Sequence, residues 1–225
     1  MTGGPRIAGP RIAVVDYGMG NRRSVEKALE HVGARATITA DRRELGLADA
    51  LVVPGVGAFP VAVRNLRRLG LAELIAQRAA DRTPILGICL GMQLLFERSE
   101  ELEPSAGLGL LAGEVTPLRT RGLALPHIGW NEVCFERASP LTAALPSAGC
   151  PFYHVHSLAA RPGDGADVLA STEYGERFAT IVARERVFGV QFHPEKSSRH
   201  GLRMLRSFVE LSHGCALERA RGAAA

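Results

Sequence analysis

Pro84-Ile85-Leu86-Gly87-Ile88-Cys89-Leu90-Gly91-Met92-Gln93-Leu94-Leu95-Phe96 is the stretch that decides the fold. It reads as a buried apolar strand, a turn at the cysteine and a helix running to Phe96. Gly87 and Gly91 flank Cys89 in the spacing glycine-x-nucleophile-x-glycine, which permits the sharp strand-to-helix turn that exposes a nucleophile. A thiol there faces the N-terminal end of the next helix, where unpaired N–H groups and the helix dipole favour the thiolate. On this stretch alone two readings stand level: an activated nucleophile, or one more small apolar residue at a strand end.

The flanking sequence repeats the strand-then-helix pattern. Ile12 to Asp16 is an apolar strand ending at the turn Tyr17-Gly18-Met19-Gly20-Asn21, and Ser24 to His31 is an amphipathic helix closed by Gly33. The glycines of that turn lack the third member of a dinucleotide fingerprint, so they read as a tight turn. Ala36 to Thr39 and Leu51 to Val53 are further strands, the latter running into Pro54-Gly55-Val56-Gly57, and a helix pair extends through Arg64 to Arg82. Such alternation predicts an α/β fold, a central mostly parallel sheet with helices on both faces and ligands at the carboxyl ends of its strands. Gly55-Val56-Gly57 and Cys89 both lie at such ends.

Beyond Gly113 the pattern becomes β-rich, in segments Glu114 to Leu118, Gly129 to Phe135, Phe152 to Leu158, Val168 to Ser171, Ala179 to Ala183 and Val187 to Phe192. These predict an antiparallel extension of the same sheet. Ser197 to Leu211 reads as a closing helix. One domain over 11–212 is expected, with a flexible N-terminal extension over 1–10 and a flexible basic tail over 213–225. The extension holds the first copy of a tandem Gly-Pro-Arg-Ile-Ala, whose second copy, Gly9 to Ala13, leads into the first strand.

Composition narrows the class. With 46% hydrophobic and 22% charged residues in 225, the chain reads as an ordinary soluble protein. It shows no apolar run near the roughly 20 residues that span a bilayer and no signal peptide, so a cytoplasmic location without membrane contact is expected. Four scattered cysteines, Cys89, Cys134, Cys150 and Cys215, fit free thiols in a reducing compartment. The net charge of +4 is not interleaved with aromatics, which are 5% of residues, so no nucleic-acid partner is expected. Cys150, His154 and His156 lack a fourth nearby ligand, so neither a metal nor another cofactor is expected.

A thiolate needs a base, and the base an orienting group. His193 follows the apolar strand Val187 to Phe192 and so stands at a strand end, as Cys89 does. Glu195 shares its face if the backbone stays extended, and Pro194 between them biases His193 towards extended conformations. A carboxylate held there fixes the imidazole in one tautomer. A cysteine elbow together with a strand-end His-x-Glu favours the nucleophile reading of Cys89.

These motifs carry a resemblance. Pro54-Gly55-Val56-Gly57, Gly87-Ile88-Cys89-Leu90-Gly91-Met92-Gln93 and His193-Pro194-Glu195 resemble the three signatures of class I glutamine amidotransferases. Asp16 to Asn21, Pro126-His127-Ile128-Gly129-Trp130-Asn131 and His193 to Ser198 are similar to the glutaminase-subunit family of imidazole glycerol phosphate synthase. The match runs from about Arg11 to Leu211. It implies a flavodoxin-like class I glutaminase fold and a Cys89-His193-Glu195 triad hydrolysing L-glutamine to glutamate and ammonia. The ammonia would pass to the cyclase subunit of that synthase, in a heterodimer serving histidine biosynthesis.

The resemblance also implies further roles. Leu90 N–H and Gly57 N–H would form the oxyanion hole. Gly55, Gln93, Glu101, His156 and Ser157 would bind substrate, although Leu158 stands where the family more often has an aromatic. Gln93 also reads as a buried polar group on its helix, Glu101 as part of a solvated acidic run, and Trp130 as core. Asn21, Trp130 and Lys196 would meet the partner. Two other readings stay open: the same chemistry serving another acceptor, such as anthranilate, aminodeoxychorismate or pyridoxal phosphate synthesis, and a thiol redox sensor or peptidase. Val56 argues against the first two acceptors, whose loop typically has proline.

Overall fold

Each apolar strand of the N-terminal half is followed by a helix, including a short one after the second strand that the sequence reading did not predict. The computed structural model describes residues 9–222. Residues 1–8 of the expected extension and 223–225 of the expected tail lie outside the described residues. In order come β1 (Arg11–Val15), α1 (Arg22–His31), β2 (Arg35–Thr39), α2 (Arg42–Leu47), β3 (Ala50–Val53), α3 (Phe59–Arg68), α4 (Leu71–Ala80), β4 (Ile85–Ile88) and α5 (Leu90–Leu94). Then follow β5 (Phe96–Ser99), β6 (Ser105–Ala106), β7 (Leu111–Pro117), β8 (His127–Phe135), β9 (Cys150–His156), β10 (Leu158–Pro162), β11 (Val168–Tyr174), β12 (Glu176–Arg184), β13 (Val187–Val190) and α6 (Ser198–Gly222).

Nine strands make one sheet in the order β2-β1-β3-β4-β13-β12-β11-β8-β9. β2 to β13 in that order pair parallel, and β13 to β9 antiparallel. This is the mostly parallel core with its antiparallel extension. Alternation along β1 divides the core: Ile12 and Val14 pack under α1 and α6, while Ala13 and Val15 pack under the helices of the opposite face. Burial on both faces explains why β3 and β4 are continuous apolar runs.

The β-rich half does not all join that sheet. β7 and β10 pair with each other and, through β5 and β6, form a separate four-stranded sheet. Glycine accounts for part of this: at Gly113 (φ +116) a side chain would meet the Arg161 carbonyl oxygen at 2.2 Å, so the two strands cross more closely than other residues allow. The helix after Cys89 is also shorter than read. Leu95 N–H turns back to the Met92 carbonyl at 3.1 Å, closing α5, and Phe96 opens β5.

The closing helix, conversely, runs on to Gly222 through most of what was read as a flexible tail. Ser212 and Cys215 continue the buried stripe of Phe208 and Val209 at helical spacing. Arg186 donates to Glu218 at 2.7 Å and Arg219 to the Asp49 carbonyl at 3.0 Å, tying the last turns to the sheet. No helix among the described residues is long and apolar enough to cross a membrane.

Candidate active site

Topology brings the predicted motifs together. β3, β4 and β13 are adjacent and parallel, so the segments leaving their carboxyl ends emerge side by side: Pro54 to Gly57, Cys89, and His193. Cys89 occupies a backbone conformation of φ 54°, ψ −111°, sparsely populated for any residue with a side chain. What holds it is packing on both sides of the elbow. A Cβ at Gly91 would lie 1.7 Å from the Val53 carbonyl oxygen, and one at Gly87 2.5 Å from that of Gly91. Cys89 N–H donates to the Val190 carbonyl at 2.8 Å, pinning the nucleophile strand to the strand that leads to the histidine.

His193 and Glu195 meet, but not through an extended backbone. Pro194–Lys196 is a single 3-10 turn, and across it His193 Nδ1–H donates to Glu195 Oε1 at 2.9 Å. Because a carboxylate only accepts, Nδ1 carries the proton and Nε2 is left for the thiol. Ser197 secures the turn, donating from Oγ to the His193 carbonyl at 2.7 Å and receiving Tyr153 N–H at 2.9 Å. The Glu195 side chain is fully buried, and its Oε1 also receives a bond from the Asn21 carboxamide, whose backbone is left-handed at φ 68°. Burial opposes a charge on His193, but hydrogen bonding to Cys89 and Glu195 and their negative charges prevail, lifting its pKa to about 9.

Cys89, His193, Gly57, Leu90, Gln93, Glu101, His156, Ser157 and Lys196 line one cleft of about 250 Å³. A larger groove of about 550 Å³ between Phe135 and Ser147 contains no pairing of nucleophile and base. Gly55 lies behind the cleft wall, where a Cβ would come within 2.5 Å of the Tyr17 hydroxyl; that hydroxyl donates to the Pro54 carbonyl at 2.5 Å. Gly57 (φ +115) packs against Met19, and Val56 against Gly20, so the turn after β1 covers the loop after β3. Glu101 Oε2 accepts Phe59 N–H at 2.6 Å, fixing a carboxylate at the cleft rim and removing it from the solvated run. Gln93 is 4% exposed, and its Nε2 donates to the Leu158 carbonyl at 3.3 Å and to Gln191 Oε1 at 3.1 Å.

His156 belongs to a chain of neutral imidazoles. Its Nδ1–H donates to the Leu158 carbonyl at 2.8 Å, which leaves Nε2 to accept from His127 Nδ1 at 3.0 Å; His127 Nε2 then accepts from Asn131 at 3.3 Å. Burial, against the backbone hydrogen bond and aided by the neighbouring His127 and His193, pushes the His156 pKa down to about 4. Among the described residues no group of three or more metal-ligating side chains is placed to hold an ion. Trp130 is not core: it is 54% exposed beside Ile128 at 58%, its ring edge-on to Tyr153.

Sequence reasoning missed two participants, Gln191 and Tyr17, and placed Asn21 only at the partner interface. Gln191 is wholly buried and donates to Cys89 Sγ at 3.7 Å, Tyr17 supports the loop after β3, and Asn21 contacts Glu195. A polar residue inside the apolar run Val190-Gln191-Phe192 was the available signal for the first.

Comparison with known proteins gives the family. The family model "Glutamine amidotransferase class-I" matches residues 13–211. The chain is similar to "Imidazole glycerol phosphate synthase subunit HisH" of Moorella thermoacetica, 49% identical over 200 residues covering 89% of this chain and 94% of that one. It is 50% identical over 197 residues to the protein of the same name from Symbiobacterium thermophilum, covering 87% and 91%. Among solved structures, PurLQS from Thermotoga maritima superposes with a TM-score of 0.72 at 23% identity over 90% of this chain and 99% of that chain, a likeness of fold.

Proposed function

The chain belongs to the class I glutamine amidotransferase family, and from that premise we propose that it is the glutaminase subunit of an imidazole glycerol phosphate synthase, working in histidine biosynthesis. Relatives bearing that name at 49–50% identity support the assignment over other ammonia acceptors. The observation that carries the chemistry is the His193 Nδ1–H bond to buried Glu195, which leaves Nε2 free on a ring that lines the same cleft as Cys89.

In this reading the Cys89 thiolate attacks the carboxamide carbon of L-glutamine. The N–H groups of Leu90 and Gly57 receive the developing oxyanion, each worth about 3 kcal/mol of barrier. The imidazolium of His193 protonates the departing ammonia, leaving a thioester. His193 then takes a proton from water, the hydroxide attacks the thioester carbon, and glutamate leaves as the thiol is restored. Glu195 keeps the imidazole oriented and compensates its charge. Glu101 and Gln93 receive the amino-acid end of the substrate, with His156 and Ser157 forming the adjoining wall and Gly55 supporting it from behind, where its missing side chain leaves room for Tyr17.

The ammonia passes to a cyclase subunit in a heterodimer in the cytoplasm. Val56 and Lys196 line the cleft, and with exposed Trp130 and Ile128 on β8 and Asn21 against Glu195 they offer the partner an apolar contact with a polar margin. Cys89→Ala in the reconstituted complex tests the whole reading. Glutamine-dependent product should vanish while synthesis from added ammonia persists, because the substitution trims one side chain and leaves the docking face intact. Glutamine-dependent synthesis by a folded, partner-bound Cys89→Ala chain would overturn it.

A further inference from the structure

Gln191 has no role in the mechanism above, yet it is the buried polar side chain whose donor points at the reacting sulfur. It follows β13 at zero exposure, two residues before His193, and its backbone N–H donates to the Thr180 carbonyl at 2.9 Å, so the side chain leaves a fixed point. Its Oε1 receives Gln93 Nε2 at 3.1 Å, and its Nε2 donates to Cys89 Sγ at 3.7 Å. Gln93 is in turn oriented by its bond to the Leu158 carbonyl. The amide of Gln191 therefore cannot rotate by 180° without turning an oxygen towards sulfur and a nitrogen towards the donor of Gln93.

We infer that Gln191 is a stabilising donor to the Cys89 thiolate, and that Gln93 acts through it as a positioning residue. The step is an equilibrium: the thiol gives its proton to His193 Nε2, and the charge left on sulfur is shared with the Gln191 N–H. A bond accepted at Oε1 polarises the amide and strengthens donation from Nε2. The Cys89 thiol otherwise faces the Val155 carbonyl at 3.7 Å, an acceptor that suits the neutral thiol and repels the thiolate. Donation from Gln191 offsets that repulsion. The other ionisable groups about the sulfur are His193 with Glu195 behind it, His156, Glu101 and Lys196 in the cleft, and Tyr17 beyond the loop after β3. Near Gln191 stands buried His154, kept neutral by its burial and bonded to Oγ1 of Thr180, whose carbonyl receives the Gln191 backbone N–H.

The inference deepens the proposed function and rests on it for its biological sense, but its test needs no glutamine. The rate of Cys89 alkylation by iodoacetamide, read by peptide mapping of the full chain across pH, reports the thiolate directly. Gln191→Met keeps length and removes the donor; its alkylation profile should move about one unit to higher pH, so that on the acid limb Cys89 reacts about tenfold more slowly than in the parent. A profile that superimposes on the parent's, in a variant with unchanged circular dichroism, overturns the inference. Should Gln191→Met fail to fold, the unsubstituted chain decides: the Gln191 side-chain amide resonances should shift as Cys89 titrates and again when it is alkylated, and resonances indifferent to both overturn it. A chain that passes these tests but hydrolyses no glutamine refutes the function proposed above and leaves the thiolate donor standing.

Discussion

The Asn21 carboxamide donates to Glu195 Oε1, the same oxygen that receives the His193 Nδ1–H. Asn21 reaches it because its backbone is left-handed at the start of α1, a conformation asparagine tolerates better than most residues. The turn after β1 thus touches the triad carboxylate at one end and the loop after β3 at the other, where Tyr17 holds the Pro54 carbonyl.

Asn21→Gly separates the bond from the backbone, since glycine accepts the left-handed conformation without strain. Loss of a hydrogen bond to a buried carboxylate is worth about 1.5–3 kcal/mol. The expected outcome is a tenfold or greater fall in glutaminase kcat with a smaller change in KM, measured on the partner complex at saturating partner. An unchanged kcat would mean that Glu195 needs no second donor.

Gly91→Ala tests the elbow. Its Cβ would lie 1.7 Å from the Val53 carbonyl oxygen, and backbone rather than a flexible side chain must give way. Destabilisation of about 3 kcal/mol is expected, read as a lower urea midpoint. A midpoint equal to the parent's would show that the turn has room the packing denies.

Histidines set opposite limbs of the stability profile: His156, with His154 and His127 also pushed down by burial, the acid one, and His193 the alkaline one. His156, pushed down to about 4, binds fewer protons folded than unfolded between that value and its ordinary 6.5, so stability falls as pH drops through this window. His193, lifted to about 9, binds more protons folded than unfolded between 6.5 and 9, so its contribution is full below 6.5 and lost as pH rises through 9. Urea midpoints from pH 4 to 10 should peak between the limbs. His156→Gln should make the acid limb shallower, with the part due to His154 and His127 remaining, and His193→Gln should flatten the alkaline one; parallel profiles for parent and variants would contradict the assignment.

Much of this arrangement was legible in the sequence because it rests on local steric rules. Gly87 and Gly91 announce the elbow, and alternating apolar strands announce a parallel sheet whose carboxyl ends carry Cys89 and His193. The contact of His193 with Glu195 was expected for the wrong reason: a 3-10 turn, not an extended strand, brings them together. Short α2 escaped notice although Asp41 and Glu44 have capping-box spacing, and Asp41 Oδ1 does accept Arg43 and Glu44 N–H at 2.7 and 3.0 Å. The division of β7 and β10 into a second sheet, and the reach of Asn21 to Glu195 across 174 positions, depend on tertiary packing that no local pattern encodes.

The central claim is that Cys89 carries the substrate acyl group. Rapid acid quenching of the partner complex during glutamine turnover, followed by peptide mass mapping, measures this directly. The account predicts a glutamyl adduct on the peptide containing Cys89, absent from those containing Cys134, Cys150 and Cys215 and lost in Cys89→Ala. Turnover of glutamine at the parent rate by Cys89→Ala, or an adduct on any other cysteine, would contradict it.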